Sequence, residues 1–280
     1  MNSVQLSIIV PAFNEAANIE ATVNRLRTYL ESEPLSWEII VVDDGSGDDT
    51  AGVVRALAAR DPRVRVTVGA RQGKGAAVKR GMLEAVGAWR FMADADLSMP
   101  PENIGRFFAA LRDAPATDIL IGSREAIGAQ RVGEPWRRHA AGRLFNYVAQ
   151  AVGVPGIRDT QCGFKMFSAD AARALFPQTT IDGFAFDVEL LFLARRFGFT
   201  VREVGIEWHC RVDSRVSLWR GVVAFGDILR VRWNALRGSY ESVDCGPRTD
   251  YGPRTDYGPR TDQEPGPKDH GQAATRSTPL

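Results

Sequence analysis

The sequence has few cysteines, no long apolar run and almost no net charge. Its three cysteines, Cys162, Cys210 and Cys245, are odd in number and lack Cys-x-x-Cys spacing, which argues against a disulfide framework and against a zinc site. No apolar stretch reaches the length of about 18 residues that a membrane-spanning helix needs, so we predict no transmembrane helix. Residues 1–5 lack the basic and apolar segments of a secretory signal. We therefore expect a cytosolic protein.

A net charge of +1 gives no reason to expect nucleic acid as a partner. Hydrophobic residues make up 44% of the chain, which is enough for one large core or two small ones. The composition changes beyond Ser242, where the pentapeptide Gly-Pro-Arg-Thr-Asp occurs in three successive six-residue repeats. A segment of this kind buries too little apolar surface to offset the entropy of ordering. We predict a single folded domain over residues 1–240 and a disordered tail over 243–280.

Apolar, β-branched segments recur at intervals through the first hundred residues. Predicted strands are Leu6–Val10, Trp37–Val42, Val64–Val68 and a segment that ends before Asp94, and each of the first three is followed by a helical pattern. Pro11 is expected to end the first strand, and Asn14 or Asn18 to cap the next helix. The repeated order of strand, turn and helix favours a parallel α/β sheet.

Two carboxylates, Asp94 and Asp96, follow the fourth predicted strand. Oxygen ligands of this kind suit Mg²⁺ or Mn²⁺, although an isolated Asp-x-Asp is more often an acidic surface turn. Two other strands also end in polar turns, at Asn14-Glu15 and at Asp43-Asp44. Because ligands of open α/β sheets bind at the carboxyl ends of the strands, we expect these turns to line one crevice.

A glycine-rich basic loop, Gly73-Lys74-Gly75, precedes the third predicted helix. Backbone amides at a helix start can hold an anion, but the loop matches neither the dinucleotide-binding nor the P-loop pattern. A flexible basic connection is the alternative. Together with the acids at the strand ends, the loop favours a nucleoside diphosphate held through a metal.

Several motifs resemble, in order and spacing, the family 2 glycosyltransferases of GT-A fold. In the first half they are Pro11-Ala12-Phe13-Asn14-Glu15, Val42-Asp43-Asp44-Gly45-Ser46, Gly73-Lys74-Gly75 and Ala93-Asp94-Ala95-Asp96. In the second half they are Gly122-Ser123-Arg124, Arg158-Asp159-Thr160-Gln161-Cys162-Gly163-Phe164-Lys165, Phe186-Asp187-Val188-Glu189 and Trp208 with Ser214-Arg215. The second set resembles the dolichyl-phosphate glucosyltransferase branch, which is close to the polyprenol-phosphate mannose synthases. The resemblance covers roughly residues 5–240.

This resemblance implies an α/β, GT-A (Rossmann-like) fold with a mostly parallel central sheet flanked by helices. It implies transfer of a hexose from a nucleotide sugar to a polyprenyl phosphate, with inversion at the sugar carbon. By family analogy UDP-glucose is favoured as donor. The alternatives are mannosyl transfer from GDP-mannose, transfer to a hydroxyl acceptor, and an inactive nucleotide-sugar-binding module.

The same resemblance assigns roles to individual residues. Nucleotide-sugar binding falls to Pro11, Ala12, Glu15, Asp43, Asp44, Lys74, Asp94, Ala95, Asp96 and Arg215, and metal binding to Asp94 and Asp96. The acceptor phosphate falls to Arg124, Arg137, Arg138 and Arg143, and the candidate catalytic residues are Asp96, Asp159 and Arg124. For Arg137 and Arg138 a solvated helix face is the alternative. Asp187 and Glu189 form a possible acidic motif near the acceptor, or a structural network that anchors their helix.

The chemistry of the acceptor determines whether the transfer reaction needs a general base. A phosphate monoester has a second pKa near 6, so it is already a nucleophile at neutral pH. A hydroxyl acceptor would need a carboxylate within hydrogen-bond reach to take its proton. Asp159 and Asp187 are the candidates for that base.

A basic amphipathic helix is predicted over about residues 218–237. Its apolar stripe is Leu218, Val222, Phe225, Leu229 and Trp233, and its cations are Arg220, Arg230, Arg232 and Arg237. Such a helix can lie in a membrane interface, or it can simply pack on the domain. A polyprenyl acceptor favours peripheral contact with the cytoplasmic face of a membrane.

Overall fold

The computed structural model describes residues 3–133, 143, 146, 147, 150, 154–210 and 218–240. The first half contains β1 (Leu6–Ala12), α1 (Ile19–Ser32), β2 (Trp37–Asp43), α2 (Thr50–Ala58), β3 (Val64–Val68), α3 (Lys74–Glu84), β4 (Trp89–Met92) and α4 (Asn103–Asp113). The second half contains β5 (Ile119–Ser123), β6 (Gln130–Val132), β7 (Lys165–Ser168), α5 (Ala169–Leu175), a 3₁₀ turn (Phe176–Gln178), α6 (Phe186–Arg196), β8 (Val201–Gly205), β9 (Glu207–His209) and α7 (Leu218–Leu236). Residues 241–280, with the repeats of the predicted tail, lie outside the described residues.

The central sheet has seven strands in the order β3-β2-β1-β4-β7-β5-β8. Neighbouring strands run parallel except at β7, which is antiparallel to both β4 and β5. A separate parallel pair joins β6 to β9. The sheet is thus mostly parallel, as the sequence predicted, with one reversed strand inserted near its middle.

Two hydrophobic cores cover the two faces of this sheet. Along β1, Leu6, Ile8 and Val10 belong to one core, whose helical residues come from α1, α2 and α4. Ile9 belongs to the other, whose helical residues come from α3, α5, α6 and α7. Burial on both faces explains why the strands read as nearly continuous apolar runs.

The prediction that Pro11 ends the first strand is wrong. β1 continues to Ala12, with Pro11 paired opposite Val42. β4 pairs with β1 only as far as Ile9, so at Pro11 the strand has a single partner and the missing N–H is tolerated.

The predicted helix cap is also absent. Asn18 stands at the N-cap of α1 without a capping side-chain bond. Its side-chain nitrogen instead donates to Glu15 Oε2 at 3.2 Å. Asn14 is used elsewhere, in the turn described below.

The carboxyl ends of β1, β2 and β4 meet at one edge because these strands are adjacent and parallel. The reversed strand β7 brings its first residue to the same edge, where Lys165 pairs with Met92. The polar turns after three parallel strands and the loop before β7 are therefore neighbours.

Candidate active site

The turns that follow β1 and β2 are bonded to each other. Asn14 lies in the left-handed region with φ 53°, which asparagine tolerates better than most residues. Its side-chain oxygen accepts a hydrogen bond from the backbone N–H of Gly47 at 2.8 Å, and its own backbone N–H donates to Ser46 Oγ at 2.9 Å. The amide of Glu15 donates to Thr50 Oγ1 at 2.9 Å. The turn after β1, which the sequence assigned to the nucleoside, is thus held in place by the turn after β2.

Asp43 and Asp44, at the end of β2, are both buried. Asp43 Oδ1 accepts hydrogen bonds from the amide and the hydroxyl of Ser46, the first at 3.0 Å. Asp44 accepts from the amides of Gln72 and Gly73 with one oxygen each, both at 2.9 Å. Each acid therefore shapes a loop of the crevice, and a direct contact with the nucleoside stays a prediction.

The glycine loop leads directly into α3. Gly73 has φ 126°, and a Cβ there would lie 2.4 Å from the carbonyl oxygen of Asp182. Gly75 N donates to that carbonyl at 2.8 Å, and a Cβ on Gly75 would lie 2.6 Å from the oxygen of Ile181. Both positions require glycine because the backbone of residues 181–182 packs against them. This contact fixes Lys74, the first residue of α3.

Asp94 and Asp96 follow β4 and are half-buried. Lys74 Nζ lies 2.6 Å from Asp94 Oδ1. Gly163 packs against the other oxygen of the Asp94 carboxylate, because a Cβ at position 163 would lie 1.9 Å from Oδ2. Asp96 Oδ1 accepts from the amide of Ser98 at 2.9 Å. Asp94 is therefore held between a lysine and the glycine backbone of the loop before β7.

These two carboxylates fit a hard divalent cation. Among the residues that the structure describes, no group of three or more His, Cys, Asp or Glu side chains is arranged to hold a metal. Mg²⁺ is commonly bound by one or two carboxylates, with water and substrate phosphates completing its shell, and Mn²⁺ accepts the same oxygen ligands. Asp94 and Asp96 supply that number of protein ligands.

The charge of Lys74 is maintained by its surroundings. Burial alone would lower the pKa of its ammonium group, but Asp94, Asp187 and Asp96 outweigh burial and raise that pKa above its ordinary value. A charged lysine beside the two acids can balance the charge of a bound diphosphate.

Arg124, just beyond β5, forms a two-point ion pair with Asp159. Its Nε lies 2.7 Å from Oδ2 and its Nη2 lies 2.8 Å from Oδ1, while the Arg124 amide donates to Oδ2 at 3.0 Å. The side chain of Asp159 is only 1% exposed. Burial alone would raise its pKa, but Arg124 outweighs burial and holds the pKa of Asp159 below its ordinary value. Asp159 is ionised and engaged through both oxygens.

The two members of the possible acidic motif have different surroundings. Glu189 accepts hydrogen bonds from the amide and hydroxyl of Thr180, from the amide of Ile181, and from the Tyr240 hydroxyl at 2.8 Å. It anchors the segment that supports the glycine loop, which agrees with the structural alternative. Asp187 forms an ion pair with Lys165 at 2.7 Å, and both side chains are buried.

Sequence reasoning gave no role to Lys165 or Gly163. Lys165 is the single cation in the otherwise apolar run Phe164–Phe167, and this contrast was the signal that the sequence offered. The neighbouring Cys162 is not a nucleophile, because burial raises the pKa of its thiol to about 12.

The remaining arginines are only partly described. Arg143 is exposed and donates to the Tyr147 hydroxyl at 2.7 Å. Arg137, Arg138 and Arg215 lie outside the described residues, so their assignments stay predictions.

Helix α7 packs on the second core through Ile228 and Val231. Leu229 and Trp233, from the stripe that the sequence singled out, are instead 64% and 55% exposed, and Leu236 is 76% exposed. The helix therefore packs on the domain with one apolar face and exposes a second. No helix in the described parts of the chain is long and apolar enough to cross a membrane.

Two solved structures show the same fold. The chain resembles glucosyl-3-phosphoglycerate synthase from Mycobacterium tuberculosis with a TM-score of 0.63 and 18% identity, over 86% of this chain and 81% of that one. It resembles mannosyl-3-phosphoglycerate synthase from Rubrobacter xylanophilus with a TM-score of 0.62 and 21% identity, over 86% of this chain and 77% of that one. The fold is the GT-A fold predicted from the sequence.

The chain belongs to glycosyl transferase family 2, whose model matches residues 7–176. It is 36% identical over 227 residues to a dolichyl-phosphate beta-glucosyltransferase of Trichomonas vaginalis, which is 78% of this chain and 67% of that protein. It is 31% identical over 250 residues to the human dolichyl-phosphate beta-glucosyltransferase, which is 84% of this chain and 77% of that protein. The prediction of a glycosyltransferase is confirmed.

Proposed function

We propose that this enzyme transfers glucose from UDP-glucose to a polyprenyl phosphate of the dolichyl type, with inversion at the anomeric carbon. The names of the relatives support glucose and the lipid phosphate. They also support inversion, because a beta-glucoside made from the α-linked sugar of UDP-glucose requires a single displacement. The choice of UDP as donor nucleotide rests on family analogy, through the motif Asp159-Thr160-Gln161-Cys162-Gly163-Phe164-Lys165.

The state of Asp159 is the observation that carries the choice of acceptor. A hydroxyl acceptor needs a carboxylate that can take its proton. Asp159 is bound on both oxygens by Arg124, and Asp187 is buried against Lys165. A polyprenyl phosphate does not need such a base, because it is ionised at neutral pH.

On the donor side, Asp94 and Asp96 would hold a divalent cation on the diphosphate, with Lys74 beside them. The cation supplies Lewis-acid stabilisation of the charge on the departing UDP. An oxygen of the acceptor phosphate attacks the anomeric carbon while the bond from that carbon to the UDP oxygen breaks. Lys74, whose Nζ lies 2.6 Å from Asp94 Oδ1, would supply a positive charge beside the diphosphate.

On the acceptor side, Arg124 would orient the lipid phosphate. Its guanidinium is held by Asp159 through two hydrogen bonds, and its Cζ lies 5.3 Å from the centre of the Trp208 ring. Asp159 keeps this guanidinium in place, so its role is to position Arg124.

A lipid acceptor would bring the enzyme to a membrane surface. The exposed residues Leu229, Trp233 and Leu236 of α7 supply an apolar strip, and Arg230 and Arg237 supply positive charge beside it. This combination suits the interface of an anionic bilayer. We propose that this contact is with the cytoplasmic face of the membrane.

A transfer assay tests the proposal. The purified protein is incubated with radiolabelled UDP-glucose or GDP-mannose, Mg²⁺ or Mn²⁺, and either a short polyprenyl phosphate or the matching polyprenol. Label from UDP-glucose should enter the organic phase only with the phosphate. Label from GDP-mannose would replace the proposed donor, and label in the polyprenol would replace the proposed acceptor.

A further inference from the structure

A buried ion pair lies behind the site and has no part in the steps above. Lys165 begins β7 and pairs with Met92 of β4 and Ile121 of β5. Its side chain is fully buried, and its Nζ lies 2.7 Å from Asp187 Oδ1. The same ammonium group donates to the carbonyl oxygen of Cys162 at 2.5 Å.

Stability alone is a weak explanation for this pair. Removing two charges from water is costly, and replacing a buried ion pair by apolar residues of similar size often leaves stability unchanged or increases it. The backbone neighbours of Lys165 in the sheet, Met92 and Ile121, are apolar. A methionine at position 165 would suit those neighbours, so the presence of a lysine there requires another explanation.

The reason lies in the loop that Lys165 holds. The carbonyl of Cys162 belongs to residues 159–164, which we call the bridging loop. One end of this loop carries Asp159, which is bound to Arg124. Its other end carries Gly163, which packs against Asp94. A shift of the bridging loop would therefore move the acceptor side and the donor side relative to each other.

Asp187 extends the connection toward the donor. The charges of Lys74 and Asp94 act on its carboxylate, as does that of Lys165. Asp94 and Lys74 form one ion pair in the crevice, and Asp187 and Lys165 form a second one behind it. Within the described residues, the Lys165 ammonium group links Asp187 of α6 to the bridging loop, and Gln161 of that loop also donates to the carbonyl oxygen of Phe184, just before α6, at 3.5 Å.

We propose that Lys165 and Asp187 are a positioning pair, which fixes the bridging loop and so sets the distance between the donor held at Asp94 and the acceptor held at Arg124. This inference rests on the proposed function for what the two sides bind. Neither residue touches the reacting atoms. Their effect is on the alignment of the two substrates, to which displacement reactions are sensitive.

The test uses the double variant Lys165→Met/Asp187→Leu in the full chain. Each single change would leave one buried charge without its partner, whereas the double change removes both charges and should fold. Thermal unfolding and circular dichroism establish that it does. Hydrogen exchange of the bridging-loop amides, kcat and KM for polyprenyl phosphate, and calorimetric binding of UDP with Mn²⁺ are then measured.

We expect the bridging loop to exchange faster, kcat to fall about tenfold or more, and KM for the lipid phosphate to rise. Binding of UDP with Mn²⁺ should weaken less than kcat falls, because the turns after β1 and β2, which are assigned to the nucleoside, are held by their own hydrogen bonds. Wild-type kcat and KM in a folded double variant would overturn the inference, and so would unchanged exchange of the loop.

A control is the pair Arg65–Glu38, joined at 3.2 Å between β3 and β2. The variant Arg65→Met/Glu38→Gln also removes both charges, keeps an oxygen that accepts from Ser7 and Val86, and should leave the bridging loop and kcat unchanged. If the wild type itself transfers sugar to no lipid phosphate, the proposed function fails. The exchange of the bridging loop then still decides whether the pair positions it.

Discussion

At the scale of single residues, Gly163 is fixed by its contact with Asp94. Its φ does not lie in the left-handed region, so backbone strain is not the reason for glycine. The reason is space, because a Cβ would lie 1.9 Å from Asp94 Oδ2 and 2.9 Å from Met99 Cε. The proposed metal ligand and the bridging loop can be this close only without a side chain at position 163.

Gly163→Ala should therefore displace the Asp94 carboxylate. We expect metal-dependent turnover to fall about tenfold to a hundredfold, since misplacement by about an ångström has that effect. Steady-state kinetics at several Mn²⁺ concentrations measure it. Gly226→Ala is the matched control, because a Cβ there meets nothing within 4 Å. Equal kinetics in the two variants would show that the contact with Asp94 is unimportant.

The pair of Arg124 and Asp159 should be visible in the pH dependence of stability. Arg124 holds the pKa of Asp159 below its ordinary value of about 3.9. The unfolded chain then binds more protons than the folded one just below that pH. The stabilisation is present above about pH 4 and is lost as the pH falls through the lowered pKa.

The variant Arg124→Met/Asp159→Leu should lose this acid dependence. Below about pH 4, its free energy of unfolding should fall less steeply than that of the wild type, by up to about 1.4 kcal/mol per pH unit for one proton. Urea unfolding at a series of pH values measures the difference. The exposed pair Asp170–Arg173 provides a control, since Asp170→Asn/Arg173→Gln should keep the wild-type slope. Parallel slopes in the wild type and the double variant would contradict the assignment.

The sequence allowed Asp94 and Asp96 to be located correctly at a strand end, because an apolar run that stops in two acids is a local signal. It did not reveal that Lys165 meets Asp187. That contact depends on how β7 and α6 pack, and no local pattern records the pairing of two charges 22 residues apart in the chain.

At the scale of elements, α7 shows why an amphipathic pattern alone leaves its packing undecided. The sequence offered the stripe that includes Leu229 and Trp233 as either a membrane face or a packing face. The structure buries Ile228 and Val231 against the domain and leaves Leu229 and Trp233 of the predicted stripe exposed. A helix with two apolar faces has only one that a single domain can cover.

The exposed face should bind membranes. Leu229→Ser, Trp233→Ser and Leu236→Ser together should weaken binding to vesicles that contain anionic lipid by at least about tenfold, since each side chain contributes up to about 1.5–3 kcal/mol when buried. Sedimentation with vesicles measures this. The control replaces three exposed apolar residues elsewhere, Leu83, Val86 and Ile127, by serine. Equal binding of the two triple variants would exclude α7 as the membrane contact.

The direction of strand β7 could not be predicted from the pattern of strands and helices. Alternating strands and helices correctly predicted a mostly parallel sheet. The reversed strand between β4 and β5 was not foreseen, although it brings Lys165 to the catalytic edge. Strand direction depends on the path of the chain between strands, which no local pattern of residues records.

At the scale of the whole molecule, the folded domain extends at least to Tyr240. This side chain is buried, and its hydroxyl donates to Glu189, which anchors the segment beneath the glycine loop. The C-terminal end of α7 is thus connected to the donor side through two intermediates. The repeats begin only a few residues later.

Truncations just before and just after Tyr240 should differ in their effects on stability and turnover. A chain of residues 1–242 should keep the turnover and thermal stability of the full chain. A chain of residues 1–239 should lose the hydrogen bond to a buried carboxylate, which contributes about 1.5–3 kcal/mol, together with the packing of the ring. Unfolding in urea and the transfer rate compare the two. Loss of activity in a folded 1–242 chain would assign a role to the repeat tail.

The role of the crevice is decided by one comparison of transfer rates. Label transferred from UDP-glucose to polyprenyl phosphate is measured against Mn²⁺ concentration for the wild type and for Asp96→Ala. We predict metal-dependent transfer by the wild type, and a loss of a hundredfold or about that in a folded Asp96→Ala protein. Full metal-dependent transfer by Asp96→Ala, or no transfer by the wild type with the proposed donor and acceptor, would contradict the function assigned to this site.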